Sequence, residues 1–125
     1  MLALLLQACV GTGGGLDDVD QSGNAPVTVM AGETVTEGTD ERIILSAVVS
    51  APPSGDATTQ VPWTNKENGD SGTVSYISET EEGQSVCRSF IVSKQSYDGI
   101  NQLSGKACRA KGGIVWTLKS LDPRE

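Results

Sequence analysis

Two cysteines, Cys87 and Cys108, limit how the second half of this chain can fold. A third, Cys9, stands apart at the end of an apolar N-terminal run, and the sequence contains no histidine. A metal site would need more ligands than the pair offers, and a nucleophilic cysteine would need a base that is absent. In a small exported domain such a pair most simply forms a disulfide, which would stabilise the fold by about 3 kcal/mol.

The same pair predicts a strand register. In an antiparallel hairpin the numbers of facing residues add up to a constant, so a Cys87–Cys108 pair centres the turn between Tyr97 and Asp98. The turn-forming residues Tyr97-Asp98-Gly99 lie at that position. This register also places Phe90 opposite Gly105 and Val92 opposite Leu103, on the face away from the cysteines.

Turn residues divide the second half into five β-prone segments: 61–65, 73–78, 86–94, 103–109 and 114–119. A turn at Gly83 would place Tyr76 opposite Phe90 and Val74 opposite Val92. A turn between residues 111 and 112 would place Trp116 opposite Ala107 and Leu118 opposite Gly105. One sheet face then collects nine apolar residues, with Arg88 as an exception: Val74, Tyr76, Phe90, Val92, Leu103, Ala107, Ile114, Trp116 and Leu118.

One helix is predicted to cover this face. Thr39 or Asp40 can cap it, apolar residues recur at helical spacing between Ile43 and Val48, and Pro52-Pro53 ends it. The β-branched residues also permit a strand. The expected fold is α+β and mainly β, an antiparallel meander of about five strands with one short helix across one face. The alternative is a small closed β-barrel in which the segment 26–30 is another strand.

The N-terminus is typical of a lipoprotein signal. Residues 1–9 form a short apolar run with small residues before Cys9, which would be lipidated, for example with palmitate, and would anchor the protein in a membrane. The run is short and lacks a basic start, so a buried N-terminal segment is the alternative. Residues 10–38 are predicted to be a disordered acidic tether, and residues 39–121 a disulfide-stapled β domain.

Composition argues against several classes of function. The net charge of −7 gives no reason to expect nucleic acid as a partner. The absence of histidine excludes Ser-His-Asp and Cys-His catalysis, and the acidic run at 17–20 lacks the spacing of a calcium loop. We therefore expect no enzyme activity, no cofactor and no bound metal.

Motifs between residues 61 and 119 resemble the C-terminal domain of the seventeen-kilodalton surface-antigen family of bacterial outer-membrane lipoproteins. The family order W-x-N, G-x-V, C-R-x-F, G-x-A-C, G-x-W is matched here at Trp63-Thr-Asn65, Gly72-Thr-Val74, Cys87-Arg-Ser-Phe90 and Gly105-Lys-Ala-Cys108, and the last motif is present as Gly113…Trp116 with two intervening residues. The resemblance implies a lipid-anchored protein of the outer membrane, on its periplasmic or cell-surface side, with oxidised cysteines and no enzymatic activity.

Two functions follow as expectations. The first is a non-enzymatic envelope lipoprotein with a structural or assembly role. The alternative is a periplasmic binding or enzyme-inhibitor module that acts through the loop 97–100, because an aromatic residue beside a carboxylate suits a loop that binds a protein partner. The candidate partner-binding residues are Tyr97, Asp98, Ile100, Arg88 and Arg109.

Overall fold

A computed structural model describes residues 25–124 and contains one helix and six strands in that range. In chain order they are β1 (Thr28–Met30), α1 (Asp40–Ser50), β2 (Val61–Thr64), β3 (Ser71–Glu82), β4 (Ser85–Ser96), β5 (Gly99–Ala110) and β6 (Val115–Pro123). All pairings are antiparallel, and the strand order is β1-β6-β5-β4-β3-β2. The sheet curls into a half-barrel around α1, which confirms the mainly β, α+β fold.

The strand in addition to the five predicted ones is β1, which comes from the segment 26–30. Val29 lies 1% exposed on β1, which pairs with the start of β6. The segment is thus a strand, as the barrel alternative required, but the sheet stays open, with β1 and β2 as its edges. The ordered domain therefore begins before residue 39, and the predicted boundary of the tether at residue 38 is too late. It also continues past residue 121, to the end of β6.

The helix forms where the sequence predicts it. Thr39 is the N-cap, and its hydroxyl oxygen accepts a hydrogen bond from the backbone N–H of Arg42. Asp40 in the first turn suits the positive end of the helix dipole. The buried side of α1 includes Ile44, Leu45 and Val48, each of them fully buried, and it packs on the concave face of the sheet.

The cysteine register is confirmed along the full length of the β4–β5 hairpin. Cys87 pairs directly with Cys108 and forms the disulfide, Phe90 pairs with Gly105, and the ladder closes at Ser96 and Gly99. The space above Gly105 is filled by the Phe90 ring, since a Cβ there would lie 2.4 Å from Cε2 of Phe90. The glycine of the predicted motif is therefore required by packing.

The predicted position of Tyr76 in the core is wrong. Val74 does pair with Val92, but the register shifts by one residue between Ser75 and Ser78. The tight turn occupies Gly83 and Gln84, so its centre lies half a residue beyond the predicted centre at Gly83, and a bulge at Tyr76 absorbs the resulting one-residue change of register. Tyr76 adopts a φ of 54° and is 50% exposed, while Ile77 takes the core position at 1%.

The predicted register of β6 is also wrong, by two residues. Leu118 pairs with Ala107, and a bulge after Lys106 then brings Leu121 opposite Gly105. The connection between β5 and β6 spans residues 111–114, and its centre lies one residue later than predicted. Because a shift of two residues preserves the face, Trp116 still reaches the core at 3% exposure. Ile114, which was expected there, lies in the connection and is 56% exposed.

Candidate functional site

The most exposed large hydrophobic side chains of the described residues lie at the tip of the β4–β5 hairpin. Tyr97 is 99% exposed and Ile100 is 68% exposed. Tyr97 and Asp98 form the turn, as predicted, and Gly99 takes a positive φ of 128° that other residues rarely adopt. The tip therefore presents an aromatic ring, a carboxylate and a branched aliphatic side chain together, and we call residues 97–100 the hairpin tip.

A partly buried ion pair holds the hairpin close to its tip. Lys94, three residues before Tyr97, places its Nζ 2.8 Å from Oδ2 of Asp40 and 3.7 Å from Oδ2 of Asp70. These contacts join the N-terminus of α1, the β2–β3 connection and β4. Since Asp40 is only 7% exposed, its charge is compensated inside the protein rather than by solvent.

Two asparagines complete this cluster. Nδ2 of Asn65 donates to Oδ1 of Asp40 at 2.8 Å and to the Gly38 carbonyl at 2.9 Å, and Nδ2 of Asn68 donates to the same Asp40 oxygen at 3.1 Å. Asn65 is 1% exposed, so the motif asparagine acts as a buried bridge between helix and sheet. This role of Asn65 was not predicted from the sequence. A sequence signal for this role is that Asn65 is a polar residue directly after a β-strand.

The cluster perturbs the proton affinities of its carboxyl groups. Burial raises the pKa of Asp40, but the hydrogen bonds from Lys94, Asn65 and Asn68 outweigh burial and hold that pKa at about 2. A shared hydrogen bond and the negative charge of Asp40 raise the pKa of Asp70. The hydrogen bond with Asp40 raises the pKa of Lys94. Asp40 and Lys94 therefore remain charged at neutral pH.

Arg88 stabilises the helix and is not a surface residue. Its Nη1 donates to the carbonyl oxygens of Val48 at 2.7 Å and Ala51 at 2.8 Å, at the C-terminal end of α1. Its Nε donates to Oε1 of Glu79 at 2.9 Å. The Arg88 side chain is only 12% exposed, and its guanidinium donates hydrogen bonds within the protein. Its place among the partner-binding candidates is therefore not supported.

Arg109 and Arg88 both stack on Trp116, at 5.4 Å and 5.1 Å from the ring centroid. These cation–π contacts cover the buried indole. Arg88 precedes Tyr97 by nine residues on an extended strand, a separation of roughly 30 Å. The structure therefore does not bring the two arginines together with the hairpin tip.

The sheet edges are poorly suited to pairing with another strand. Along β1, the Met30 N–H donates to Oε1 of Glu33 at 2.9 Å, and Nε of Arg42 donates to the Thr28 carbonyl at 3.2 Å. The Met30 N–H and the Arg42 guanidinium also lower the pKa of Glu33. The other edge, β2, contains Pro62, which has no N–H to donate. The hairpin tip is thus the better exposed contact surface.

Open grooves also occur in the described part of the chain. One of about 600 Å³ crosses the outer face between Tyr76 and Arg124, and one of about 320 Å³ lies between α1 and β2. Among the described residues no carboxylate lines either of these grooves, so neither places an acid and a base together. Within residues 25–124 no group of three or more Cys, Asp or Glu side chains could hold a metal ion, and no helix there has the length and hydropathy to cross a bilayer.

Comparison of the chain with protein-family models, with curated proteins and with solved structures finds no match. The surface-antigen resemblance therefore remains a prediction, and so does what it implies beyond the Cys87–Cys108 disulfide. Cys9, the predicted signal and most of the predicted tether lie outside the described residues.

Proposed function

We propose that this chain is a non-enzymatic protein-binding module of the bacterial envelope that contacts its partner through the hairpin tip. The observation that carries this proposal is the 99% exposure of Tyr97 at the end of a hairpin. In the free protein the exposed aromatic ring is in unfavourable contact with water. Burying that ring against a partner removes the contact and contributes favourable free energy to binding. The disulfide and the Lys94–Asp40 pair stiffen the hairpin, which lowers the entropy lost on binding.

The Cys87–Cys108 disulfide supports an oxidising compartment outside the cytoplasm. Within that compartment we propose that Cys9 is the lipid attachment site and that the domain is held at the outer membrane. A structural or assembly role fits a module without paired catalytic groups among its described residues. An inhibitor role would use the same tip, inserted into the cleft of a target enzyme, and the partner captured by the tip decides between these roles.

Binding through the tip is tested by capture from envelope extract with matched variants. Tyr97→Ala combined with Ile100→Ala removes both tip side chains. Tyr76→Ala combined with Ile114→Ala removes the same residue types from exposed positions elsewhere. We expect the tip variant to lose the captured protein and the control variant to retain it. Equal capture by the two variants would refute binding through the tip.

The anchor is tested separately by metabolic labelling with palmitate in cells that produce the full chain. We expect label in the wild-type protein and none after Cys9→Ser. Cys87→Ser is the control, because it removes a thiol that is not predicted to carry lipid, and it should keep the label. Absence of label in the wild-type protein would remove the lipoprotein proposal and leave the binding proposal standing.

A further inference from the structure

The end of the sheet that carries the hairpin tip is acidic. The Lys94 contacts to Asp40 and Asp70 show that the N-terminus of α1, the β2–β3 connection and the hairpin meet there. Together the segments 37–41, 65–70 and 94–98 contain six carboxylates and two lysines, which are Glu37, Asp40, Glu41, Glu67, Asp70, Asp98, Lys66 and Lys94. This end therefore has a clear negative excess.

The acids at this end differ from those at the opposite end in their partners. Among the described residues, the exposed carboxylates Glu37, Glu41, Glu67 and Asp98 form no salt bridge. The acids at the β3–β4 end are each paired: Glu79 with Arg88, Glu81 with Lys111 and Glu82 with Lys106. Uncompensated charge is thus concentrated around the two exposed apolar side chains of the tip.

We propose, building on the function given above, that the partner is a protein with an apolar pocket bordered by lysine and arginine side chains. Tyr97 and Ile100 fill the pocket, and the surrounding carboxylates face the basic rim. In interfaces of this kind a central apolar anchor supplies most of the affinity, while rim charges raise the association rate and select the partner. An anionic lipid surface would be repelled by the same carboxylates.

The test uses the partner captured by the wild-type chain, purified and immobilised for surface plasmon resonance. The charge variant is Glu41→Gln, Glu67→Gln and Asp98→Asn together, and the control is Glu81→Gln with Glu82→Gln at the opposite end. At about 50 mM NaCl we expect the charge variant to associate at least about tenfold more slowly than the wild-type chain. The control should change the rate by less than about twofold, and about 500 mM NaCl should remove the difference.

The outcomes separate the two proposals. If the charge variant associates as fast as the wild-type chain while loss of Tyr97 and Ile100 abolishes binding, the basic partner is refuted and binding through the tip stands. If the tip variant binds as well as the wild-type chain, both proposals fail. Binding of the tip to phosphatidylglycerol vesicles in the absence of protein would refute a basic protein partner in favour of a membrane surface.

Discussion

Replacement of Asp40 by asparagine tests the cluster that holds the hairpin to the helix. The pKa of Asp40 is about 2, against 3.8 for an ordinary aspartate. Because a tenfold change in proton affinity corresponds to about 1.4 kcal/mol, ionised Asp40 contributes about 2 kcal/mol to the free energy of unfolding at neutral pH. The introduced amide would keep the contacts with Asn65 and Asn68 in part, but Lys94 would retain only the 3.7 Å contact with Asp70.

The contribution has a defined pH window. Since the folded state lowers the pKa of Asp40, the stabilisation is complete above about pH 4 and is lost as the pH falls toward about 2. The raised pKa of Asp70 acts in the opposite direction, because the folded state binds that proton more tightly. The difference in stability between wild type and Asp40→Asn should therefore be largest near neutral pH and disappear in strong acid.

Urea denaturation followed by tryptophan fluorescence measures this difference. At pH 7 we expect Asp40→Asn to lower the free energy of unfolding by about 2 kcal/mol and Asp98→Asn, at an exposed turn position without a salt bridge, by less than about 0.5 kcal/mol. Near pH 2 the Asp40→Asn variant should match the wild type. A loss below about 0.5 kcal/mol at pH 7, or an undiminished loss at pH 2, would refute the proposed contribution of the charge.

Four further variants and the reduced protein test other parts of the fold by the same denaturation assay. Gly105→Ala should lower the free energy of unfolding by about 1–3 kcal/mol, because its Cβ would displace the Phe90 ring. Gly72→Ala should lower it by more, since its Cβ would overlap the backbone carbonyl of Ser93. A Gly72→Ala variant as stable as the wild type would contradict the β3–β4 register. Reduction of the disulfide should lower stability by about 3 kcal/mol, and an unchanged urea midpoint in reductant would show that the bond contributes little. Arg88→Ala should cost about 2–3 kcal/mol because the Val48 and Ala51 carbonyls lose a charged donor, and Arg109→Ala, at the other side of Trp116, should cost less.

The parts of the fold that were predictable from the sequence have local causes. The helix follows from its cap at Thr39 and its apolar spacing, and the β4–β5 register follows from the cysteine pair together with a turn at the midpoint. Arithmetic on residue numbers succeeds there because no bulge interrupts this hairpin. Burial of the alternating residues from Val86 to Val92 is then a consequence of the strand period.

The errors arise where a bulge or a displaced turn changes the register. Tyr76 leaves the core because the bulge turns it outward and Ile77 inward, and no composition signal marks that position. Bulges depend on how the sheet bends around the helix, which is a tertiary property. The β6 register failed for a related reason, because the turn after Ala110 lies later than the glycine pair suggested.

The candidate site was predictable only in part. The exposure of Tyr97 and Ile100 agrees with their predicted place in the loop 97–100 between two strands. The cluster of Asp40, Lys94 and Asn65 joins three segments that are distant in sequence, so it could not be read from any one of them. Arg88 shows the reverse case, in which a residue that looked available for a partner serves the helix.

The central claim is that a partner contacts the hairpin tip, and site-specific photocrosslinking in living cells tests it most directly. A benzoylphenylalanine is placed at Tyr97 in one variant of the full chain and at Tyr76, the half-exposed tyrosine of the bulge, in another. We predict a discrete crosslinked product from position 97 and none of that size from position 76. The absence of any product from position 97, or the same product in equal yield from position 76, would contradict the claim.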